Sequence, residues 1–266
     1  MGTSERCRSG YAVITGASAG LGREFAWQLA EEGFSLVLAA RRVERLDQLK
    51  SDILGFYPQL DIKVIPVDLS KELECFRLLE EIKDLRVTIF INNAGFGDCS
   101  PFAEANLGKN MQMVDVNVKA VQILTHEMVR CFRMQNCGYL LNVASSAGLL
   151  PAGPYMASYY ASKAFVASLT RSVARELKEE GSRVYVGALC PGPVDTEFND
   201  VAEVSFGLPG ITAEKCVACA IRGMKARKTV IIPTLLMKAA NFGSRLLPSE
   251  FTIAVTGRQQ KKKLGL

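Results

Sequence analysis

A tyrosine and a lysine stand four residues apart in the run Tyr159-Tyr160-Ala161-Ser162-Lys163. On a helix that spacing puts both side chains on one face. A free phenol, with a pKa of about 10, is a poor acid or base at neutral pH. A nearby ammonium and a helix N-terminus both favour the phenolate. The spacing therefore predicts a lowered phenol pKa and a side chain able to give and take a proton. Tyr155 and Tyr160 have no lysine four residues on, so Tyr159 is the candidate in this cluster. Ser145 and Ser146 end an apolar run shortly before it. A hydroxyl there could hold a reacting oxygen beside Tyr159, or simply turn the chain.

A second constellation suits anion capture. Thr15-Gly16-Ala17-Ser18-Ala19-Gly20-Leu21-Gly22 follows an apolar run and opens a helical pattern. Gly16 permits a sharp turn, Gly20 lets backbone approach a pyrophosphate, and Gly22 lets helix and sheet pack closely. The helix N-terminus adds free N–H groups and a positive dipole end. The spacing is G-x-x-x-G-x-G rather than the usual G-x-G-x-x-G. At the end of the next apolar run stand Ala39-Ala40-Arg41-Arg42, with no acid before Glu44. An acid there would bind the ribose hydroxyls of NAD, whereas arginine pairs with a 2′-phosphate. NADP is therefore expected over NAD, with Arg41 as first contact and Arg42 in support. Asp68 could accept from an adenine amino group, or bond Ser70 at a helix start.

These groups need a scaffold to position them. Apolar runs at 11–16, 35–41, 61–68, 87–95, 138–145, 183–190 and 229–233 read as strands. Helical periodicity fills 20–33, 43–55, 71–83, 106–135, 157–180 and 212–226. Near-continuous apolar strands between helices predict a parallel sheet covered on both faces, an α/β chain in one domain. The core spans about 10–233 and the C-terminal extension about 234–266. The segment 193–210 is long for a connection and reads as a lid.

Composition narrows the chemistry. One histidine, His126, lies mid-helix, so a Ser–His or Cys–His nucleophile is excluded, as is a histidine metal cluster. Eight scattered cysteines are expected to be reduced thiols, and Cys216-x-x-Cys219 has no partner pair. No metal site is expected. A net charge of +5 without a long basic stripe argues against nucleic acid. No signal-peptide core and no run of 18 apolar residues occur, so a cytoplasmic protein without a spanning segment is expected.

Taken together, Thr15 to Gly22, Asn92-Asn93-Ala94-Gly95, Asn117, Ser145/Ser146, Tyr159-x-x-x-Lys163 and Pro191-Gly192 resemble the short-chain dehydrogenase/reductase family. Order and spacing match from about residue 10 to 200, and the altered glycine spacing is that family's own. The run Val143-Ala144-Ser145, Tyr159-Tyr160-Ala161-Ser162-Lys163 and Cys190-Pro191-Gly192-Pro193 looks like its bacterial branch near 17β-hydroxysteroid and 3-ketoacyl reductase types. The resemblance implies a Rossmann-type doubly wound sheet of seven parallel strands. It implies a catalytic tetrad of Asn117, a serine, Tyr159 and Lys163. The lysine would also hold the nicotinamide ribose, and the asparagine would anchor a water-linked proton path. Asn92, Ala94 and Gly95 would support the sheet and the adenosine side. Pro191, Gly192, Val194 and Thr196 would form the nicotinamide side. A 13-residue spacing to Tyr159 selects Ser146, while alignment of Ala147-Gly148 selects Ser145, which we take. A homodimer or homotetramer through 106–135 and 157–180 is also implied.

The expected reaction is exchange between a ketone and a secondary alcohol. Loops at 96–103, 147–158 and 193–210 are apolar, with Leu149, Leu150, Pro151, Met156, Phe198, Val204, Phe206 and Leu208. They favour a lipophilic substrate such as a steroid, bile acid or fatty-acyl compound. The rival class is a non-catalytic NADPH-binding regulator on the same scaffold. The tail 235–263, ending in three lysines, would either cover the pocket or an interface, or touch an anionic membrane.

Overall fold

The structure is a computed structural model and describes residues 9–195, 197 and 210–264. The expected strands form: β1 (Tyr11–Thr15), β2 (Ser35–Ala40), β3 (Ile62–Pro66), β4 (Val87–Asn92), β5 (Gly138–Val143) and β6 (Val184–Leu189). β7 (Val194–Asp195) and β8 (Ile211–Thr212) pair with each other in a small parallel ribbon that periodicity did not indicate. β9 (Val230–Ile231) completes the main sheet. Its order is β3-β2-β1-β4-β5-β6-β9, all parallel, with seven strands.

The helices are α1 (Gly20–Glu31), α2 (Val43–Phe56), α3 (Glu72–Ile82), α4 (Leu107–Val114), α5 (Val121–Gln135), α6 (Ala157–Glu179), α7 (Ala213–Lys225), α8 (Leu235–Ser244) and α9 (Ser249–Lys263). Alternate strand residues feed two cores. Ile14, Leu36 and Leu38 meet Phe25 and Leu29 of α1, Leu46 of α2 and Val217 of α7. Val13, Val37 and Phe90 meet Leu78 of α3, Leu124 and Phe132 of α5 and Leu177 of α6. Burial on both faces explains the unbroken apolar strands.

One helical expectation needs correction. The segment read as one helix over 106–135 is two α-helices joined by a π-turn, Asp115–Ala120, which carries Asn117. Such a turn keeps the apolar rhythm nearly intact and is common at functional sites. A second correction concerns the cysteines. Cys75, Cys99, Cys131, Cys190, Cys216 and Cys219 are free thiols, but Cys137 is disulfide-bonded. Cys216 and Cys219 share α7, and among the described residues no cluster of metal-binding side chains occurs. His126 is an exposed helix residue paired with Glu127.

The strand order reverses between β1 and β4, which opens a crevice beyond their carboxyl ends. The glycine turn fits into it tightly. Gly16 has φ +67, and a Cβ on Gly22 would lie 2.3 Å from the Gly16 carbonyl oxygen. Helix α1 can pack against the turn only without a side chain there. Gly22→Ala is therefore expected to destabilise the fold by about 1–3 kcal/mol, read as a lower urea midpoint. An unchanged midpoint would show that the turn is not so constrained.

Candidate active site

β1 ends at Thr15, whose hydroxyl accepts from the backbone N–H groups of Asn93 (2.9 Å) and Ala94 (3.0 Å). The Asn93 amide donates to the Thr15 carbonyl at 2.9 Å. The asparagine that braces the glycine turn is thus Asn93. Asn92 is buried in the sheet and donates to the Val121 carbonyl at 3.5 Å. Helix α1 starts after Ala19 without a capping side chain and without an acid in its first turn. Its first N–H groups are left for another acceptor. Gly16, Ser18, Gly20, Leu21, Asp68, Ala94 and Gly95 line one cavity with Arg41 and Arg42. Gly22 sits behind it as packing.

Both arginines line the cavity but have different partners. Arg42, rather than Arg41, reaches across the turn and donates to the Ser18 hydroxyl from Nε (3.3 Å) and Nη2 (3.2 Å). Its Nη1 pairs with Glu197 at 3.2 Å. Arg45, which sequence reasoning missed, holds both Glu197 oxygens at 2.7 and 2.8 Å. It follows Arg42 by three residues on α2, and that spacing was the available signal. The Glu197 carboxyl is opposed by partial desolvation, yet the arginines hold it below its ordinary range. An internal carboxylate thus occupies the cationic spot at the end of β2. Asp68 bonds the Ser70 backbone and hydroxyl at 3.1 and 2.9 Å while still lining the cavity.

The candidate proton-transfer group lies at the other end of the same cavity. Helix α6 begins at Ala157, so Tyr159 and Lys163 fall in its first two turns, both buried. The Lys163 ammonium donates to the Val143 carbonyl at 2.9 Å and stands 5.9 Å from the centre of the Tyr159 ring. The Tyr159 hydroxyl is hydrogen-bonded to Ser145. Ser145 Oγ also accepts from the Ala147 N–H at 3.1 Å. Ser146 instead begins the short 3-10 turn that follows β5. The geometry thus brings Ser145, not Ser146, to the phenol.

Asn117 is fully buried. Its amide donates to the Phe96 carbonyl (2.9 Å) and to Ser162 Oγ (3.1 Å), and its oxygen accepts from the Phe96 N–H (3.2 Å). It ties the loop after β4 to α6 through Ser162, whose hydroxyl donates to the Tyr159 carbonyl at 2.8 Å. Gly95 leaves the necessary room, since a Cβ there would lie 2.9 Å from Asn117 Oδ1 and 3.2 Å from Lys163 Nζ.

The expected lowering of the phenol pKa is reversed. Burial pushes Tyr159 up to about 12, against the downward pull of Ser145. Burial also pulls Lys163 down to about 8. The ammonium sits over the ring rather than at the hydroxyl, so loss of water outweighs the charge–charge effect. At neutral pH the site holds a protonated phenol.

Pro191, Gly192 and Val194 line the cavity beside Tyr159, and Thr196 lies outside the described residues. The same holds for Phe198, Val204, Phe206 and Leu208. Of the loops expected to form the substrate wall, Phe96, Ala147, Leu150 and Met156 contribute, while Leu149 and Pro151 do not. Much of the wall comes instead from α8, α9 and the turn between them, including Leu236, Met237, Leu247, Phe251 and Val255. The whole cavity measures about 1120 Å³. The tail therefore covers the pocket. No described helix is long and apolar enough to cross a membrane.

Sheet order, glycine turn and Tyr159–Ser145 pair define a nucleotide-cleft protein of the short-chain type, and residues 10–204 match the short chain dehydrogenase family. The chain belongs to that family. It is 35% identical over 181 residues to a very-long-chain 3-oxoacyl-CoA reductase of Aspergillus terreus, covering 66% of this chain and 51% of that protein. The chain thus spans about half the length of this curated relative. It superposes on a short-chain dehydrogenase from Sphingobium yanoikuyae in complex with NADPH with a TM-score of 0.80 and 29% identity, over 89% of this chain and 93% of that one. A short-chain dehydrogenase/reductase from Burkholderia phymatum in complex with NAD gives 0.80 and 25%, with the same coverage. Relatives of this fold thus hold either cofactor.

A buried lysine with a depressed pKa has a consequence for stability. Between about pH 8 and its free value of 10.5, Lys163 is largely neutral in the folded chain but protonated in the unfolded one. The unfolded state binds more protons there, so this group's contribution to stability rises with pH across that window. Comparing Lys163→Met with the parent by urea unfolding at pH 8, 9 and 10 isolates it. The parent is expected to gain on the order of 1–3 kcal/mol relative to the variant. Parallel pH dependences would contradict the assignment.

Proposed function

We propose that the protein is an NADP(H)-dependent oxidoreductase that interconverts a lipophilic ketone and its secondary alcohol. The observation that carries this reading is the buried Tyr159–Ser145 pair, beside Lys163 and in one cavity with the uncapped N-terminus of α1.

The residues fit a dinucleotide. The glycine turn admits backbone approach to a pyrophosphate, with Gly16, Ser18, Gly20 and Leu21 around it. Arg42 and Arg45, with Ser18, fit a 2′-phosphate, and Glu197 stands where that anion would compete. Arg41 and Asp68 flank the adenine end. Ala94 and Gly95 lie toward the middle of the crevice, with Lys163, Pro191, Gly192 and Val194 at the nicotinamide end. When bound, the nicotinamide supplies or accepts a hydride.

The chain's own groups do the remainder. Ser145 and Tyr159 donate hydrogen bonds to the carbonyl oxygen of the substrate. Tyr159, protonated at neutral pH, gives its proton to that oxygen as reduction proceeds. Lys163, with a pKa of about 8 and its ammonium beside the ring rather than at the hydroxyl, re-supplies the proton through an intervening water. Asn117 holds α6 and the loop after β4 in place around it. Fixing both reactants in a dry cleft contributes much of the rate.

The wall formed by Leu150, Met156, Leu247, Phe251 and Val255 supports a lipophilic substrate of steroid, bile-acid or fatty-acyl type. The Aspergillus relative is named for a fatty-acyl ketone, which favours that class. A homo-oligomer is also proposed, through Leu107, Met111 and Val114 on α4 and Phe165 on α6, which are exposed apolar side chains.

Two outcomes test this reading. Tyr159→Phe is expected to lower kcat by at least about 10²–10⁴-fold while NADPH still quenches protein fluorescence with an unchanged Kd. Ser145→Ala should fall steeply and Ser146→Ala little. Full turnover by Tyr159→Phe would reject the mechanism. For the cofactor, Arg42→Ala should weaken NADPH much more than NADH. Glu197→Gln should tighten NADPH about three- to tenfold and leave NADH alone. Equal responses of the two cofactors in both variants would remove the 2′-phosphate assignment.

A further inference from the structure

Helix α8 reads LLMKAANFGS, and none of its ten residues is buried. A helix so apolar around its circumference is normally enclosed by protein or lipid. Its two faces have different settings. Met237, Ala240, Gly243 and Ser244 face the cavity. The opposite face, continued into the turn after the helix, exposes Leu235 (81%), Phe242 (66%) and Leu246 (71%). Lys238 and Arg245 stand exposed among them.

The charge distribution says what kind of surface covers this face. Residues 235–264 contain six lysines or arginines and one acid, a net of +5, equal to the net charge of the entire chain; of the six, Lys238 and Arg245 border this face, and Arg258, Lys261, Lys262 and Lys263 belong to α9. The rest of the protein is neutral overall. A second copy docking face to face would press this patch, with Lys238 and Arg245, against the same cationic patch of its partner. Exposed apolar side chains rimmed by cations instead suit an anionic bilayer, with the helix lying in the interface.

We propose that the outer face of α8 and the turn after it dock on an anionic lipid bilayer, placing the cavity mouth at the lipid surface so that substrate passes between membrane and site. Docking stands on the exposed face alone. Substrate passage rests on the lipophilic-substrate reading given above. Phe251 and Val255, which line the cavity while remaining exposed by 56% and 37%, mark its mouth on the adjoining helix.

The test is flotation of the full chain with phosphatidylcholine vesicles, with and without about 30% phosphatidylserine. The protein should float with the anionic vesicles only, and less so as salt rises and screens the attraction. The variant F242D/L246D alters two side chains outside the site. It should lose roughly tenfold in bound fraction with unchanged NADPH affinity and melting temperature. Its turnover of a vesicle-borne ketone should fall, and that of a water-soluble ketone should not. Failure of the parent to float, or equal flotation of the variant, overturns docking. A parent dimer that becomes monomeric in the variant, by light scattering, also overturns it and assigns the face to a second copy. Docking with equal loss on both ketones overturns only the passage of substrate. Absence of turnover by the parent on any ketone, with NADPH bound, overturns the enzymatic reading and leaves docking standing.

Discussion

An ammonium buried to 4% exposure is the constraint around which this site is built. Taking such a charge out of water is costly unless it is well paired or loses its proton. Lys163 meets this partly by donating to the Val143 carbonyl at 2.9 Å and partly through its depressed pKa. Val143 is the last residue of β5, and the chain continues directly to Ser145. The bond therefore fixes the register of α6 against the strand end that supplies the serine. Tyr159, one turn earlier on the same helix, is placed against Ser145 by the same contact. The 3-10 turn between them packs on the helix backbone, since a Cβ on Gly148 would lie 2.2 Å from the Lys163 carbonyl oxygen.

The nucleotide half of the cleft is aligned to this half through the end of β4. Thr15 accepts two backbone N–H groups from Asn93 and Ala94, so the glycine turn and the segment 93–95 form one unit. Two residues on, Phe96 exchanges hydrogen bonds with Asn117, which in turn holds Ser162 of α6. A chain of hydrogen bonds thus runs from the glycine turn to the helix that carries the phenol. The π-turn at Asp115–Ala120 has a physical role in that chain: Asn117 lies within it, fully buried, with its amide bonded to both neighbours.

Much of this was legible in the residues. Doubly buried parallel strands are apolar without alternation, so their positions read directly, as did the glycine turn and the Tyr159–Lys163 spacing. What was hidden had specific causes. A π-turn shifts the helical phase too little to interrupt the apolar rhythm of 106–135. The direction of the phenol shift depended on where the ammonium sits relative to the ring, which i,i+4 spacing does not specify. Arg45 looked like any helix-surface cation until Glu197, 152 positions on, was seen in both of its hydrogen bonds. The tail was ambiguous because an amphipathic pattern tells which residues seek cover but not what covers them.

That tail is coupled to the chemistry more closely than a lid need be. Thr256 donates to the Ala152 carbonyl, Gly257 packs on Pro154, Lys261 lies over the Tyr155 ring, and Gln260 donates to the Tyr160 hydroxyl at 3.0 Å. Every one of these contacts is to the loop entering α6 or to its first turn. Met237 of α8 rests on Gly192, where a Cβ would lie 2.7 Å from Met237 Cγ. Adjacent phenols on one helical turn thus have separate partners: Tyr159 faces Ser145, and Tyr160 faces Gln260 of α9. A displacement of α9 would be transmitted to the start of α6 and so to Tyr159. The cavity wall and the proposed proton donor consequently share one mechanical support, so under the proposed function a ligand seated against the tail would present its reacting oxygen to a correctly placed phenol.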